Sequence, residues 1–390
     1  MQSAEPRFPR SHLITLAAFV LVTLVIVPLV YSNGAIANHD LQRYGKYLCW
    51  AVLATSLNLL WGYTGLLCLG QCVFFGLGGY AFGMYLMLNV GVDPVYKTAL
   101  PDFMDFLGYT ELPAHWKPFE NLGFAMAAVI WVPGLMALIF GFLAFRSRIT
   151  GVYFAIMTQA LTFVAWILFL RNEFTFGGNN GFTGFKKILG ANLYSQPATS
   201  TNGKELLFFM LSALLLIVTI SLMLALTRTR FGKIQTAIRD SENRVRFSGY
   251  CTENFKLFIF TLAAIIAGIA GALWLPQATG INGDVAFRPI ESLWVVVWVA
   301  VGGRGTIWGP VIGAILINAL KSWAQREYEN TWILILGGIF LVVVLFLPGG
   351  IASLGKKLPK WFRICRDWIE AFVATRKKKV DPKEGGEETS

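Results

Sequence analysis

The chain has 390 residues, 55% of them hydrophobic and only 14% charged, where soluble proteins carry about a quarter charged residues. That composition excludes an ordinary soluble enzyme and makes lipid the solvent. The net charge of +11 does not point to nucleic acid, because Lys and Arg collect in the cytoplasmic loops of membrane proteins and no basic stripe here is interleaved with stacking aromatics.

Arg7 and Arg10 precede the first apolar run, 13–31, which is long enough to cross about 30 Å of hydrocarbon. Ala35-Ile36-Ala37 is only a weak cleavage pattern, so the run reads as a retained first helix. Further spans are expected over 46–62, 66–89, 121–144, 150–170, 205–227, 255–275, 289–301, 307–322 and 331–347. The eighth is short and ends in Gly302-Gly303-Arg304-Gly305, which marks a broken or re-entrant helix. The expected fold class is an all-α polytopic integral membrane protein of about ten transmembrane helices, forming one domain over 1–348. Residues 349–390 are expected to be a basic, largely disordered tail.

Charge placement orients the chain. With the N-terminus inside, Arg146, Arg148 and the loop 228–254 also fall inside. That loop sets Arg228, Arg230, Lys233, Arg239, Arg244 and Arg246 against Asp240, Glu242 and Glu253. The acidic loop 90–120 then lies outside, and Arg376 to Lys379 return the C-terminus to the cytoplasm. The external loop 171–204 fits less well, since Arg171, Lys186, Lys187 and Lys204 outnumber Glu173.

Within the loop, Phe231 to Gly249 predicts a short amphipathic helix. Ile234, Ile238, Ser241 and Val245 recur on one side, and Gly249 suits the left-handed cap. Such a helix lies on lipid or docks into a partner's groove, and Asp240 and Glu242 weigh against anionic lipid. The span cores hold essentially no charge, only amides and hydroxyls: Asn58, Gln71, Thr158, Gln159 and Asn318. These suit a neutral, hydrogen-bonding solute, although amides also tie helices together. Gln71 sits in a Gly-rich stretch with Phe74 and Phe75 as a candidate gate. Asn179 and Asn180, between glycines in an external loop, either receive solute or form a plain turn. The five cysteines, Cys49, Cys68, Cys72, Cys251 and Cys365, give no disulfide framework and no metal site. Gly350 to Lys357 has P-loop spacing, but Lys357 stands where Ser or Thr must hold magnesium, and the segment follows an apolar span.

Gly232, Ala237-Ile238-Arg239-Asp240, Glu242 and Gly249-Tyr250 resemble the coupling-loop motif of ABC importer permeases of the branched-chain amino acid and amide family. Gly62-Tyr63-Thr64-Gly65-Leu66-Leu67, Leu69-Gly70-Gln71, Phe74 to Tyr80, Val301 to Thr306 with Gly309-Pro310, and Phe346-Leu347-Pro348 with Gly350-Ile351 are similar to its other motifs. Within the family, Gly177 to Gly181 and the loop 101–121 most resemble the C-type permease subunits of urea transporters. The resemblance implies a bacterial inner-membrane subunit with both termini cytoplasmic and no cofactor or catalysis of its own. It implies a heterodimer with a second related permease, two cytoplasmic ATPases that bind ATP and magnesium, and an extracytoplasmic solute-binding protein. The coupling helix, in a loop spanning about 228–254, is marked by Gly232, Ile234, Ile238, Arg239, Asp240, Glu242, Arg244 and Gly249. Ile234 and Ile238 are expected to fill the ATPase groove, and Arg239, Asp240, Glu242 and Arg244 to fix register. The substrate path is expected to use Gln71, Phe74, Phe75, Asn58, Gln159, Asn179 and Asn180. Urea or a short amide is the first cargo reading, branched-chain amino acids the second, and a stand-alone urea channel the third.

Overall fold

The structure, a computed structural model, describes residues 10–90, 98, 100–149, 151–185, 187–188, 191–192, 203–329, 331–346 and 349–353. The expected tail beyond 353, with its basic run Arg376–Lys379, lies outside the described residues. Helices make up most of the rest. Arg10–Leu21 (α1) passes through a π-helical turn, Val22–Ile26, into Val27–Ser32 (α2). Pro28 has no N–H to return to Leu24, so the ladder widens just before it. There follow α3 (Asn38–Trp61), α4 (Gln71–Leu88), α5 (Asp102–Phe106), α6 (Leu122–Arg146) and α7 (Val152–Leu170). Then come α8 (Gly203–Arg228), α9 (Arg230–Phe247), α10 (Thr252–Ala278), α11 (Gly283–Phe287), α12 (Pro289–Gly302), α13 (Gly309–Glu327) and α14 (Trp332–Phe346).

Among the described residues, 6 helical stretches are long and apolar enough to cross a bilayer, and two shorter apolar helices, Pro289–Gly302 and Trp332–Val343, join them. With α3 and α13 they answer to the spans read from sequence. α3 starts well before the apolar run at 46, because Asn38 to Lys46 are too polar to score as hydrocarbon yet continue the helix. Its apolar residues from Tyr47 to Leu60 are almost entirely buried, as is α4, whereas α6, α7 and α8 expose large apolar side chains along one flank. The centre is therefore α3, α4 and α10, ringed by helices whose outer faces suit lipid.

Close approach at the centre depends on glycine. A Cβ at Gly78 would overlap the Gly268 backbone, and one at Gly271 would overlap the Phe75 carbonyl. Pro133 of α6 rests against Gly268 on its other side. In lipid, helices associate through such small-residue contacts because apolar burial alone gives little preference.

Two expected helices are interrupted. The span 66–89 becomes helical only at Gln71, and residues 66–70 are largely buried non-helical backbone. Thr158 Oγ1 of α7 accepts from Leu69 N at 3.0 Å, and Thr162 Oγ1 donates to Leu69 O at 3.4 Å. α12 has 14 residues, about 21 Å of rise, which is short of a full crossing as its glycine-rich end foretold. Ahead of it α11 dips into the bundle, where Phe287 packs against Phe169 and Tyr80 with ring centroids 4.3 and 5.6 Å apart. The two-residue strands Phe182–Thr183 and Gly280–Ile281 pair antiparallel and tie the loop after α7 to the end of α10.

Gly78→Leu should destabilise the bundle by about 1–3 kcal/mol or more, the usual cost of overpacking a filled site. Gly338→Ala, where nothing lies within 4 Å, should leave stability unchanged. Thermal denaturation of the detergent-solubilised chain reads both.

Candidate functional site

α9 is the least apolar helix, and it starts and stops on local chemistry. The Thr229 side chain accepts from Gly232 N at its start, and Gly249, at φ +87, closes it. It is not one straight rod: Ser241 leaves helical geometry (φ −163, ψ 95). Beyond that point Glu242 turns toward α10, accepting from Thr252 Oγ1 at 3.0 Å and pairing with Arg246 at 3.0 Å and Lys256 at 2.5 Å. Arg246 also reaches Glu253 at 2.9 Å.

The face that α9 turns inward is Gly232, Gln235, Ile238 and Val245. Gln235 Nε2 donates to Thr64 Oγ1 at 3.3 Å, and Arg239 Nη1 donates to Gly62 O at 2.9 Å. Gly62 lies against Gly305, whose N–H donates to Asn58 Oδ1 at 2.8 Å, while Asn58 Nδ2 donates to Thr306 O at 2.8 Å. Three segments read separately from sequence, around 62–65, 237–242 and 302–306, thus meet at one junction.

Several expected roles change on this geometry. Ile238 is only 4% exposed and packs within its own chain, so it cannot fill a partner's groove as expected. Arg239 and Glu242 are committed to internal contacts, while Ile234 is half-buried. Asp240 and Arg244 remain outward. The most exposed apolar side chain here is Phe247, at 93%, followed by Tyr250. Sequence reasoning passed over Phe247 because it lies opposite the apolar stripe, and that stripe packs inward on both sides of Ser241.

Three of the seven expected path residues, Gln71, Asn58 and Phe74, are held internally. Gln71 is fully buried and its Nε2 donates to Ser56 Oγ at 2.9 Å and Ala263 O at 3.2 Å. Asn58 clamps the 305–306 turn. Phe74 meets Phe260 edge-on at 5.4 Å deep in the core. Gln159 is half-buried, with an Oε1 that finds no partner. Asn179 and Asn180 are exposed in the turn closed by Gly177 and Gly181, and Asn282 Nδ2 donates to Asn179 O at 3.3 Å. Phe75 alone of the helical candidates borders a sizeable cavity.

That cavity, about 300 Å³, opens between α3, α4, α10, α12 and α13 beside α11. It is reached by Trp274, near the end of α10 remote from α9, and by Trp50 and Trp298, whose rings stand 5.9 Å apart. Asp284, Arg288, Glu291 and Lys321 also border it. Glu291 and Lys321 lie at the ends of the expected spans 289–301 and 307–322, outside the uncharged span cores. Arg288 is extended between α11 and α12, so the three charges on this segment, Asp284, Arg288 and Glu291, come together only in the fold.

A buried helical bundle with interrupted helices, a polar cavity and a hydrophilic helix lashed beneath it defines a membrane permease. Residues 45–345 match the family described as branched-chain amino acid transport system, permease component, and the chain belongs to that family of ABC importer subunits. It is 27% identical to the high-affinity branched-chain amino acid transport system permease protein LivM of Escherichia coli (strain K12), over 86% of this chain and 74% of that protein. Identity to LivM of Salmonella typhimurium is 26%, with the same coverage of each. The autoinducer 2 import system permease protein LsrC of Yersinia pestis (strain Pestoides F) is 25% identical over 40% of this chain and 46% of its own length. No solved structure matches significantly.

The α9–α10 clasp gives a pH prediction. Burial alone raises the Glu242 carboxyl, but the hydrogen bond and charge of Lys256, with Thr252 and Arg246, outweigh it and hold the carboxyl below its ordinary value of 4.5. A carboxyl held low when folded stabilises above its unfolded value and loses that contribution as pH falls through the folded one. The protection factors of amides in 242–256, corrected for their intrinsic exchange rates, should therefore be flat from pH 7 to 5 and fall below about 4.5. Glu242→Gln should remove this step and cost about 3 kcal/mol, because it leaves the buried Lys256 ammonium without its ion-pair partner.

Proposed function

We propose that this chain is one membrane subunit of an ATP-driven importer and that α9 is the element on which a cytoplasmic ATPase acts. The observation that carries the reading is the double character of α9. Its inner face is tied by Arg239 and Gln235 to the break before α4, and through Gly62 to the turn between α12 and α13. Its outer face presents Asp240, Arg244 and Phe247 exposed among the described residues, with Asp240 paired to the adjacent Arg239. A push on α9 is then delivered to α4 and α12 through the junction and to α10 through Glu242 and Lys256. All three helices border the cavity.

In this reading α9 faces the cytoplasm, both termini lie there, and the chain sits in a bacterial inner membrane. A second related permease completes a heterodimer, two ATPases bind ATP and magnesium, and an extracytoplasmic binding protein delivers solute. Ile234, Asp240, Arg244 and Phe247 meet the ATPase; Gly232, Ile238, Arg239, Glu242 and Gly249 shape α9 from within.

Two cargo readings remain in play. Urea or a short amide draws support from the Gly177–Gly181 turn and the loop 101–121. Branched-chain amino acids draw support from the likeness to LivM. The amide side chains that favoured urea, Gln71 and Asn58, are occupied in holding helices, so we place the amino acid first.

Phe247→Asp should cut co-purification of the partner ATPase at least tenfold while leaving membrane insertion intact. Arg239→Ala should retain the ATPase but lower uptake relative to ATP hydrolysis at least fivefold. Wild-type assembly and uptake in both variants would reject the docking and coupling roles together. Cys251 is exposed beside α9. An impermeant thiol reagent should modify it from the cytoplasmic side only, judged against Cys251→Ser.

A further inference from the structure

We infer that the cavity beside α11 and α12 is a recognition site for a zwitterion with an apolar side chain, a free amino acid entering the translocation route. The inference rests on the importer reading and deepens it by naming the residues that would sort the cargo.

The charges bordering the cavity balance. Asp284 and Glu291 are acids, Arg288 and Lys321 are bases. A site for an anion or a cation would carry one sign in excess, and a site for a neutral amide needs neither. Arg288 is exposed and Asp284 partly exposed, whereas Glu291 and Lys321 stand half-buried toward the ends of α12 and α13. They are not equally committed. Asp284 Oδ1 accepts from Trp166 Nε1 at 2.8 Å and stands 4.0 Å from Arg288 Nε, so this pair is positioned as a rim. Glu291 and Lys321 form no ion pair among the described residues. Lys321 Nζ instead rests over the rings of Trp294 and Trp332, at 5.6 and 5.7 Å. One carboxylate and one ammonium thus stand ready on neighbouring helices, α12 and α13, for the two ends of a zwitterion.

The remaining wall fits the apolar part of such a ligand. Trp274 packs edge-on to Phe75 at 5.7 Å, and Trp298 lines the adjoining face. Trp274 is 6% exposed, and its Nε1 is buried with no hydrogen-bond partner. The volume, about 300 Å³, lies at the small end of the range for ligand pockets.

Binding of radiolabelled L-leucine to the full chain in nanodiscs tests the assignment. L-Leucinamide, which lacks the carboxylate, and 4-methylpentanoate, which lacks the ammonium, should each compete at least tenfold more weakly than L-leucine, and urea should not compete. Lys321→Met should weaken L-leucine at least tenfold yet leave leucinamide unchanged. Glu291→Gln should weaken L-leucine similarly yet leave 4-methylpentanoate unchanged, and Lys321→Arg should keep binding. This crossed pattern cannot arise from misfolding, which would lower every ligand alike. Absence of L-leucine binding up to millimolar concentration, or binding that both charge variants leave unaltered, overturns the site. The ATPase co-purification described above is measured on the same preparation, so failure here with the ATPase still bound leaves the importer reading standing.

Discussion

Backbone groups that leave a helix inside an apolar bundle have no water to bond, and each must find a partner from the chain itself. Here that demand falls on two breaks, one ahead of α4 and one between α12 and α13. Thr158 and Thr162 serve the first from α7, and Asn58 serves the second from α3. Arg239 reaches up from α9 to the Gly62 carbonyl that lies against both. Satisfying the breaks therefore draws four distant parts of the sequence together. It also makes the junction below them a place where the position of α9 is felt by the helices above.

Much of the architecture could be read from residue order, because crossing a bilayer imposes a length and an apolarity that few sequences meet by accident. The short α12 and the cap at Gly249 were legible for equally local reasons, a run too brief to span and a glycine at the helix end. The facing of α9 was not. A helical wheel finds the apolar stripe but not what covers it: Ile238, before the departure at Ser241, and Val245, after it, both pack on the chain's own bundle, and Phe247 on the opposite side turns outward. Nor could sequence distinguish an amide that lines a path from one that binds helices: Gln71 and Asn58 have the same chemistry in either role, and only their partners decide it.

The two views of the cargo divide along that line. A count of polar groups within the spans points to a neutral solute, whereas the groups that border open space are mostly charged and aromatic. Position relative to the void carries more weight than abundance. The Gln71 and Asn58 amide hydrogens are already donated within the chain, while Glu291 and Lys321 hold charge free of ion pairing within the described residues.

The contact between Gly78, Gly268 and Pro133 carries a mechanical meaning. No side chains interlock at that point, so were the ring pairs Phe74–Phe260 and Phe75–Trp274 on either side to give way, α10 would tilt on α4 with the crossing as its fulcrum. From Gly268 the arm toward Thr252 is about 24 Å and the arm toward Ala278 about 15 Å at helical rise. A sideways step of roughly 3 Å beside α9 would then swing Trp274, about 9 Å from Gly268, by roughly 1 Å in the opposite sense. The lower end of the lever is the longer, which favours force over travel at the cavity.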